Sequence, residues 1–132
     1  MTIDNDFNLQ EMTQSQSDKY VTHNTENRRI AAAVAGSTTL NFSSDANMTI
    51  NSSDTDGTES WRYQTLVITD SGVVLTTGRD VILPSKGGLH FVINKTAQTL
   101  TFKTSGGTGV AVATSINDLI IYNSDADDYE AV

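Results

Sequence analysis

The sequence predicts an all-β fold: an antiparallel β-sandwich, or a jelly-roll-like or β-barrel domain, with one short N-terminal helix and an extended N-terminal arm. After Gly36, β-branched and aromatic residues are interrupted by Gly, Asn, Asp and Ser at short intervals, as in sandwiches and barrels. The 132 residues suffice for one domain with a real core and are too few for two ordinary domains. We therefore divide the chain into an arm, residues 1–23, and a β domain, residues 24–132.

Short strands account for most of the predicted β domain, about nine or ten in all. Turns rich in Gly, Asn, Asp and Ser separate them. In the segment 60–69, the apolar positions switch from odd to even numbers, which predicts a β-bulge near Gln64 and Thr65. The predicted strands are 38–43, 47–51, 60–69, 73–75, 79–83, 89–94, 98–104, 109–113, 118–123 and 128–132.

Strict alternation of apolar and polar residues in several of these strands predicts which side chains form the core. In a strand, alternate side chains point to the same face of the sheet, so one alternating set is expected to be buried. The predicted core face consists of Leu40, Phe42, Met48, Ile50, Leu89, Phe91, Ile93, Leu100, Phe102, Val110 and Val112.

A short helix is predicted at about 25–35, with Asn24 or Thr25 as its N-cap and Gly36 as the residue that ends it. A helix of about three turns is marginal in water without tertiary contacts. Ile30 and Val34 are therefore expected to pack against another surface.

The arm is poor in apolar residues and follows neither a strand nor a helix period for long, so it cannot bury a core of its own. We expect such a segment to gain order by lying across a neighbouring chain. Its apolar residues are the predicted partner-binding residues: Ile3, Phe7, Leu9, Met12, Tyr20 and Val21.

Charge and composition narrow the range of partners. Sixteen acidic and eight basic residues give a net charge of −8, which repels nucleic-acid phosphates and anionic lipid surfaces, so neither nucleic acid nor membrane is an expected partner. No stretch approaches the roughly 18 to 20 apolar residues that span a bilayer. The chain has no cysteine, which excludes disulfides and thiolate catalysis. Uncharged polar residues are plentiful, and burying them in protein contacts costs less than burying charges.

We predict no catalytic residue, no cofactor and no metal site. His23 and His90 are expected to be unrelated surface residues, with His90 alternating outward from its apolar neighbours. Asp54 and Asp56 resemble the opening of a calcium loop, but Thr65 stands where that loop needs a bidentate Glu. A turn is the preferred interpretation of this segment.

Two further segments invite a functional interpretation. The acidic cluster Asp125, Asp127, Asp128 and Glu130 could attract a divalent cation or a basic partner, but a solvated terminal hairpin is the preferred interpretation. The glycine-rich segment 105–109 lacks the Lys-Ser/Thr ending and the following helix of a phosphate-binding loop, so we interpret it as a hairpin turn.

Several consecutive segments resemble a domain common in virion proteins of tailed bacteriophages. They are a strand ending in Pro (79–84), a strand ending in an Asn-x-Thr turn (89–96), a Thr-rich strand running into Gly-Thr-Gly-Val (100–112), and a late aromatic strand before an acidic turn (120–128). The likeness covers about residues 30–132. It implies a structural component of the virion, assembled in the host cytoplasm, typically as a homotrimer.

From the resemblance and the arm, we expect a non-enzymatic head decoration (cement) subunit that oligomerises and clamps neighbouring chains. Its expected partners are copies of itself and the major capsid protein or other virion proteins. The alternative is a tail fibre, fibre-base or adaptor subunit that binds a receptor or glycan, with sugar rings stacked on aromatic side chains. The aromatic residues considered for that role are Trp61, Tyr63, Tyr122 and Tyr129.

Overall fold

The computed structural model describes residues 19–52, 59–86 and 88–132. Within these ranges, the chain forms one α-helix, one short 3₁₀ helix and nine strands. In chain order they are α1 (Lys19–Ala35), β1 (Ser37–Asn41), β2 (Met48–Thr49), the 3₁₀ helix (Ser60–Arg62), β3 (Thr65–Thr69), β4 (Arg79–Ile82), β5 (Leu89–Asn94), β6 (Leu100–Lys103), β7 (Val110–Val112), β8 (Asn117–Asn123) and β9 (Asp128–Ala131).

The strands form two mixed sheets, and from β1 to β6 the chain alternates between them. One sheet has the order β1-β3-β5-β8-β9 and the other β2-β4-β6-β7. β1, β3 and β5 are parallel neighbours, as are β2, β4 and β6. Antiparallel pairing is confined to β5–β8, β6–β7 and β8–β9. The first six strands therefore trace a coil, in which each strand lies beside the strand that came two places earlier.

The prediction of a mostly β fold is confirmed. The prediction of antiparallel pairing is wrong for the four pairs among the first six strands, which are parallel, whereas β5–β8, β6–β7 and β8–β9 are antiparallel. No closed barrel forms among the described residues, because each sheet ends in edge strands. Side chains alternate with the same period in parallel and antiparallel strands, so periodicity cannot report strand direction. Direction follows here from the connections: from β1 to β6, each strand that returns to its sheet after a single strand in the other sheet runs parallel to the strand it joins.

The described residues form a single apolar core. Both sheets contribute fully buried aliphatic and aromatic side chains to it. The main contributors are Leu66, Ile68, Val92 and Ile120 from the five-stranded sheet, and Val81, Leu100, Phe102 and Val112 from the four-stranded sheet.

β5 has the opposite orientation to the one predicted. Leu89, Phe91 and Ile93 face outward, whereas His90 and Val92 are buried and face the core. The prediction that His90 lies on the surface is therefore wrong as well. Since β5 carries apolar residues on both of its faces, alternation alone could not decide which face meets the opposite sheet.

The inward face of β5 ends in Asn94, a fully buried residue whose side-chain amide is satisfied on both sides. Its Nδ2 donates to the carbonyl oxygens of Gln98 (2.8 Å) and Val112 (2.9 Å). Its Oδ1 accepts from the backbone N–H (2.9 Å) and the hydroxyl (2.7 Å) of Thr96. This amide joins the turn after β5 to β7 of the other sheet, which accounts for a polar residue at a core position.

The segment predicted as one bulged strand, 60–69, divides into the 3₁₀ helix and β3. Trp61 is buried from the 3₁₀ helix, and Leu66 and Ile68 are buried from β3. The change from odd to even apolar positions therefore marks the junction of two elements, and the predicted β-bulge is wrong. The predicted strand at 73–75 is also wrong, because no strand forms there.

Helix α1 begins at Lys19, six residues before the predicted start at about residue 25. Tyr20 and Val21, which we assigned to the extended arm, therefore lie in its first turn. The helix ends as predicted, since the Gly36 N–H donates to the Ala32 carbonyl (3.0 Å). A Cβ at Gly36 would meet Ala32 backbone at 2.7 Å, so only glycine fits where the helix turns into β1.

Charged side chains attach α1 to the 3₁₀ helix. Buried Arg29 donates from Nε to Glu59 Oε1 (2.7 Å) and from Nη1 to Glu26 Oε1 (2.9 Å). Ile30 and Val34, which we expected to pack, are 48% and 64% exposed. Ile30 and Val34 thus point away from the domain. The ion pairs of Arg29, on another side of the helix, attach it to the 3₁₀ helix.

Loss of Arg29 should destabilise the protein more than loss of the neighbouring apolar residue. Arg29→Ala leaves Glu59 as a buried carboxylate without this cation, and breaking a buried pair in this way costs about 3 kcal/mol. Ile30→Ala removes an exposed side chain and should change the free energy of unfolding by less than about 0.5 kcal/mol. Urea unfolding followed by circular dichroism measures both values. A larger loss in Ile30→Ala than in Arg29→Ala would contradict this account of how the helix is held.

Candidate assembly interface

The outer face of the five-stranded sheet carries a continuous group of apolar side chains, which we call the apolar face. It lies on three neighbouring strands, β3, β5 and β8, on the side of the sheet opposite the core. Its members are Val67, Leu89, Phe91, Ile93, Leu119 and Ile121.

Strand register brings these side chains together in rows. Leu89 lies opposite Ile121 and Phe91 opposite Leu119 in the antiparallel β5–β8 pair. Leu89, Phe91 and Ile121 are 41%, 37% and 43% exposed, which is unusual for three large apolar residues in mutual contact range. The rows therefore form one patch, in contrast to the isolated apolar residues found on most protein surfaces.

The border of the apolar face is polar and nearly uncharged. Thr39 and Thr65 flank it on the β1 side, and Asn117 flanks it at the start of β8. Glu130 lies next to Ile121 across the β8–β9 pair, and its Oε1 accepts a hydrogen bond from Asn123 Nδ2 (2.9 Å). No member of the apolar face is ionisable, so a protein surface could cover it without burying a charge.

Parallel strands make an uncovered apolar face unusual, because parallel sheets are normally covered on both sides. The inner side of this sheet contributes Leu66, Ile68, Val92 and Ile120 to the core. Among the described residues, helix α1 makes its main contact with the 3₁₀ helix. With strands about 4.8 Å apart and about 3.3 Å of rise per residue, the outer face measures roughly 20 Å by 17 Å.

The signal for this surface was present in the sequence. β8 carries the uninterrupted apolar run Leu119-Ile120-Ile121-Tyr122, which is typical of a strand covered on both faces. Ile120 is buried in the core, so Leu119 and Ile121 must point outward. We missed the surface because Leu89, Phe91 and Ile93 were assigned to the core.

The predicted partner-binding residues of the arm lie largely beyond the described structure. Ile3, Phe7, Leu9 and Met12 fall outside the described residues. Tyr20 and Val21 belong to α1, and the structure describes their backbone only. The role assigned to the arm stays a prediction.

The aromatic residues considered for sugar stacking belong to the core or its edge. Trp61 and Tyr129 are buried, and Tyr63 and Tyr122 are half-buried and pack against the core. The Arg62 guanidinium lies 4.4 Å from the centre of the Trp61 ring and covers one of its faces. These rings are therefore engaged in intramolecular packing, and the expectation that they offer open stacking faces is wrong for the two buried ones.

The acidic cluster near the C-terminus lies on the hairpin between β8 and β9, as interpreted from the sequence. The Asp128 carboxylate accepts backbone N–H bonds from Thr108 and Gly109, both at 2.7 Å. Desolvation opposes its ionisation, but the backbone N–H bonds outweigh that effect and lower the pKa of Asp128. This carboxylate therefore fixes the glycine-rich turn at 105–109 through the protein's own amides.

Metal-binding candidates are absent from the part of the chain that the structure describes: no group of three or more His, Cys, Asp or Glu is placed to hold a metal ion. Asp54 and Asp56, the possible calcium-loop residues, lie outside the described ranges. No helix in those ranges is long and apolar enough to cross a membrane.

His90 lies directly beneath the apolar face, between Leu89 and Phe91 on β5 but pointing into the core. Burial lowers the pKa of His90, and the hydrogen bond between its Nδ1 and the Tyr63 carbonyl (2.7 Å) only partly offsets this effect. The imidazole is thus a neutral core residue at pH 7. His23 lies on the exposed side of α1, so one histidine is buried and the other is not.

Comparison with known proteins adds no relative: no family model, curated protein or solved structure matches this chain.

Protonation of His90 should destabilise the folded protein. Its pKa in the folded state lies below the ordinary value of 6.5, so the unfolded chain binds the proton more readily. The contribution of neutral His90 to stability is therefore complete above about pH 6.5 and is lost as the pH falls from there through the folded-state pKa. Urea unfolding midpoints measured at intervals from about pH 7.5 to about pH 5 should decrease.

Two variants test whether His90 causes this decrease. His90→Gln should flatten the dependence between those pH values, whereas His23→Gln, which removes an exposed histidine, should keep it. Asp128 does not interfere, because its pKa is lowered from 3.8 and its contribution is lost only at more acidic pH. An unchanged pH dependence in His90→Gln would contradict the assignment.

Proposed function

We propose that this chain is a non-enzymatic structural subunit of a tailed-phage virion, a head decoration or cement subunit that oligomerises and clamps neighbouring chains with its N-terminal arm. The apolar face carries the proposal. An uncharged surface of six apolar side chains suits contact with another protein and provides no group for chemistry. The proposed partners are copies of the chain, as a homotrimer, and the major capsid protein or other virion proteins, with assembly in the host cytoplasm.

The placement in a virion is supported by the segments that resemble phage virion proteins. Residues 79–84 form β4 and the turn after it, 89–96 form β5 and its turn, and 100–112 form β6 and β7. β4, β6 and β7 are neighbours in the four-stranded sheet, β5 lies in the other sheet, and the three segments supply six of the fourteen buried hydrophobic residues of the core. The resemblance thus concerns a contiguous structural unit, which we propose to be a two-layer sandwich wound from parallel strands.

A non-enzymatic role is supported by the way the buried and partly buried polar groups are used. His90, Asn94 and Asp128 are each bonded to backbone atoms of neighbouring elements. Each of these groups holds two parts of the chain together, which is a structural use of residue types that elsewhere perform catalysis.

The alternative, a tail-fibre, fibre-base or adaptor subunit, is favoured by one observation. The coil of parallel strands repeats along one direction, as in solenoid proteins, and it ends in the edge strands β1 and β2, each parallel to its neighbour in its own sheet. A further turn of coil from another chain could extend it, which suits an elongated particle component.

Immunolabelling tests the proposal and separates its two versions. An antibody against this chain, applied to purified virions of the encoding phage, should label the head if the chain is a decoration subunit and the tail if the alternative holds. Virions carrying Phe91→Lys should contain at least tenfold less of the chain, because a charge would have to be buried in the contact. Absence of label from intact virions would contradict both versions.

The matched control is Val74→Lys, which places the same charge on an exposed apolar residue outside the apolar face. It should be incorporated like the unmodified chain. Equal loss of both variants from virions would show that the added charge, and not the apolar face, is responsible.

A further inference from the structure

Helix α1 has one side that the rest of the described chain leaves uncovered. Its domain side is the side of Arg29, which bonds to Glu59 beside the 3₁₀ helix. Ile30 and Val34 lie elsewhere on the helix and are among the large apolar residues that the structure leaves exposed. A short helix gains most of its stability from packing an apolar side, and this side has no packing partner among the described residues.

The uncovered side has the residue spacing of a contact between two helices. His23, Asn27, Ile30 and Val34 follow one another at intervals of four, three and four residues, like the a and d positions of a coiled coil. At 3.6 residues per turn they lie within an arc of about 60°, centred about 130° from Arg29. All four are exposed, and we call them the seam residues.

We infer that the seam residues pack against the seam residues of two further copies of this chain, so that three α1 helices form a parallel bundle. The inference rests on the proposed homotrimer and names the element through which its copies meet. Closed three-fold symmetry makes the three helices parallel and places each seam residue near the same residue of the other copies.

The spacing of the seam residues determines the class of occupant. Alternating intervals of three and four residues place side chains for insertion into the holes between the side chains of another helix. A sheet presents side chains with a period of two residues, which does not match these intervals. Helix α1 is the only α-helix in the described part of the chain. Within a homotrimer, the helices that fit are therefore the α1 helices of the other copies.

Asn27 favours copies of the same helix over an unrelated apolar helix. Its amide is both a donor and an acceptor, so it can pair with the same amide of a neighbouring copy. An apolar helix would cover this amide without satisfying it, which costs free energy. Within one copy, Asn27 Nδ2 lies 3.2 Å from His23 Nε2, which joins the two polar seam residues. A single Asn at an a position is a known means of fixing register and the number of helices.

The apolar seam residues favour three helices over two. Ile30 and Val34 are both β-branched, and they occupy the two kinds of seam position. Dimers prefer Leu at d, whereas Ile at d shifts coiled coils towards trimers and tetramers. This preference agrees with the proposed homotrimer.

The seam is short, which limits the strength of the bundle. From His23 to Val34 it extends over roughly 17 Å of helix. Helices of this length are marginal without further contacts, so the trimer should form at high concentration and dissociate on dilution. In dilute protein Ile30 is exposed, and it then contributes little to the stability of the single chain.

Sedimentation velocity of the full chain between about 1 and 300 µM tests the bundle. The unmodified chain should approach the mass of a trimer at the upper end of this range. Val34→Lys should associate roughly tenfold more weakly, because its charge would be buried at the centre of the bundle. It also lowers the net charge from −8 to −7, so increased repulsion between copies cannot explain a loss.

The matched control is Ala35→Lys. It adds the same charge at the next residue, which is exposed and lies outside the seam. Both substitutions lie in the last turn of α1, where a lysine suits the helix dipole, so both variants should keep the helix. Ala35→Lys should associate like the unmodified chain. Equal weakening of the two variants would overturn the inference.

Asn27→Ile tests the same seam by strengthening it. Replacing the polar seam residue with a β-branched apolar one should lower the concentration needed for assembly roughly tenfold, since burial of the amide no longer opposes it. Adding Val34→Lys to this variant should remove the gain. An Asn27→Ile variant that keeps the mass of the unmodified chain, or that forms only aggregates of undefined mass, would contradict a bundle through these residues.

Single cysteines locate the contact, since the chain has none of its own. Oxidation of Val34→Cys should yield disulfide-linked pairs of chains, because identical seam residues are neighbours in a parallel bundle. Ala35→Cys should yield far fewer. Equal yields at the two positions would show that the copies do not meet along the seam.

Immunolabelling of virions separates the failure of this inference from the failure of the proposed function. Suppose that virions are labelled, but the chain is monomeric at every concentration or its trimers persist in Val34→Lys. The bundle would then be overturned and the role in the virion would stand. Trimers that Val34→Lys disrupts, in a chain that is absent from virions, would support the bundle and overturn the role.

Discussion

The burial of one core shared by two sheets is the constraint on which the rest of this structure depends. Because consecutive strands from β1 to β6 belong to different sheets, none of these strands pairs with the strand that precedes it in sequence. Each pairs with the strand that follows two places later in the chain, and the two strands of such a pair are parallel. Parallel pairing, the single shared core and the outward position of alternate residues all follow from this path. The antiparallel strands β7, β8 and β9 then end the coil at one edge of each sheet.

The same path explains why polar residues occupy buried positions. From β1 to β6 the chain changes sheets after each strand, and hydrogen bonds hold the connections in place. Asn94 does this by donating to carbonyl oxygens of the turn after β5 and of β7 in the other sheet. His90 plays a similar role between β5 and the segment before β3, through the Tyr63 carbonyl. Arg29 does so between α1 and Glu59. Each group is satisfied by hydrogen bonds or ion pairs, so its burial need not cost the free energy of an unpaired polar atom.

Much of the secondary structure could be predicted from the sequence, and the way its strands are paired could not. The predicted strand 89–94 coincides with β5, and the helix ends at Gly36 as expected. Local signals such as alternation, turns and glycine determine these boundaries. Strand direction, the side of β5 that faces the core and the attachment of α1 by Arg29 depend on contacts between residues distant in sequence, for which periodicity holds no information. The candidate site was missed for the same reason, since its residues look like core residues until the opposite face of β5 is known to be buried.

The apolar face is small for a protein interface, which bears on the role of the arm. We predicted from sequence alone that the arm binds a neighbouring chain. The apolar face spans three of the five strands of its sheet, so its area is smaller than the roughly 350 Å² of the whole outer side and well below the about 800 Å² per partner of a standard interface. A segment that reaches across to a neighbour adds binding energy without widening the flat surface, since linking two weak contacts raises their combined strength by effective concentration. We propose that the face and the arm are complementary parts of one assembly mechanism, in which the face orients neighbouring subunits and the arm strengthens their contact.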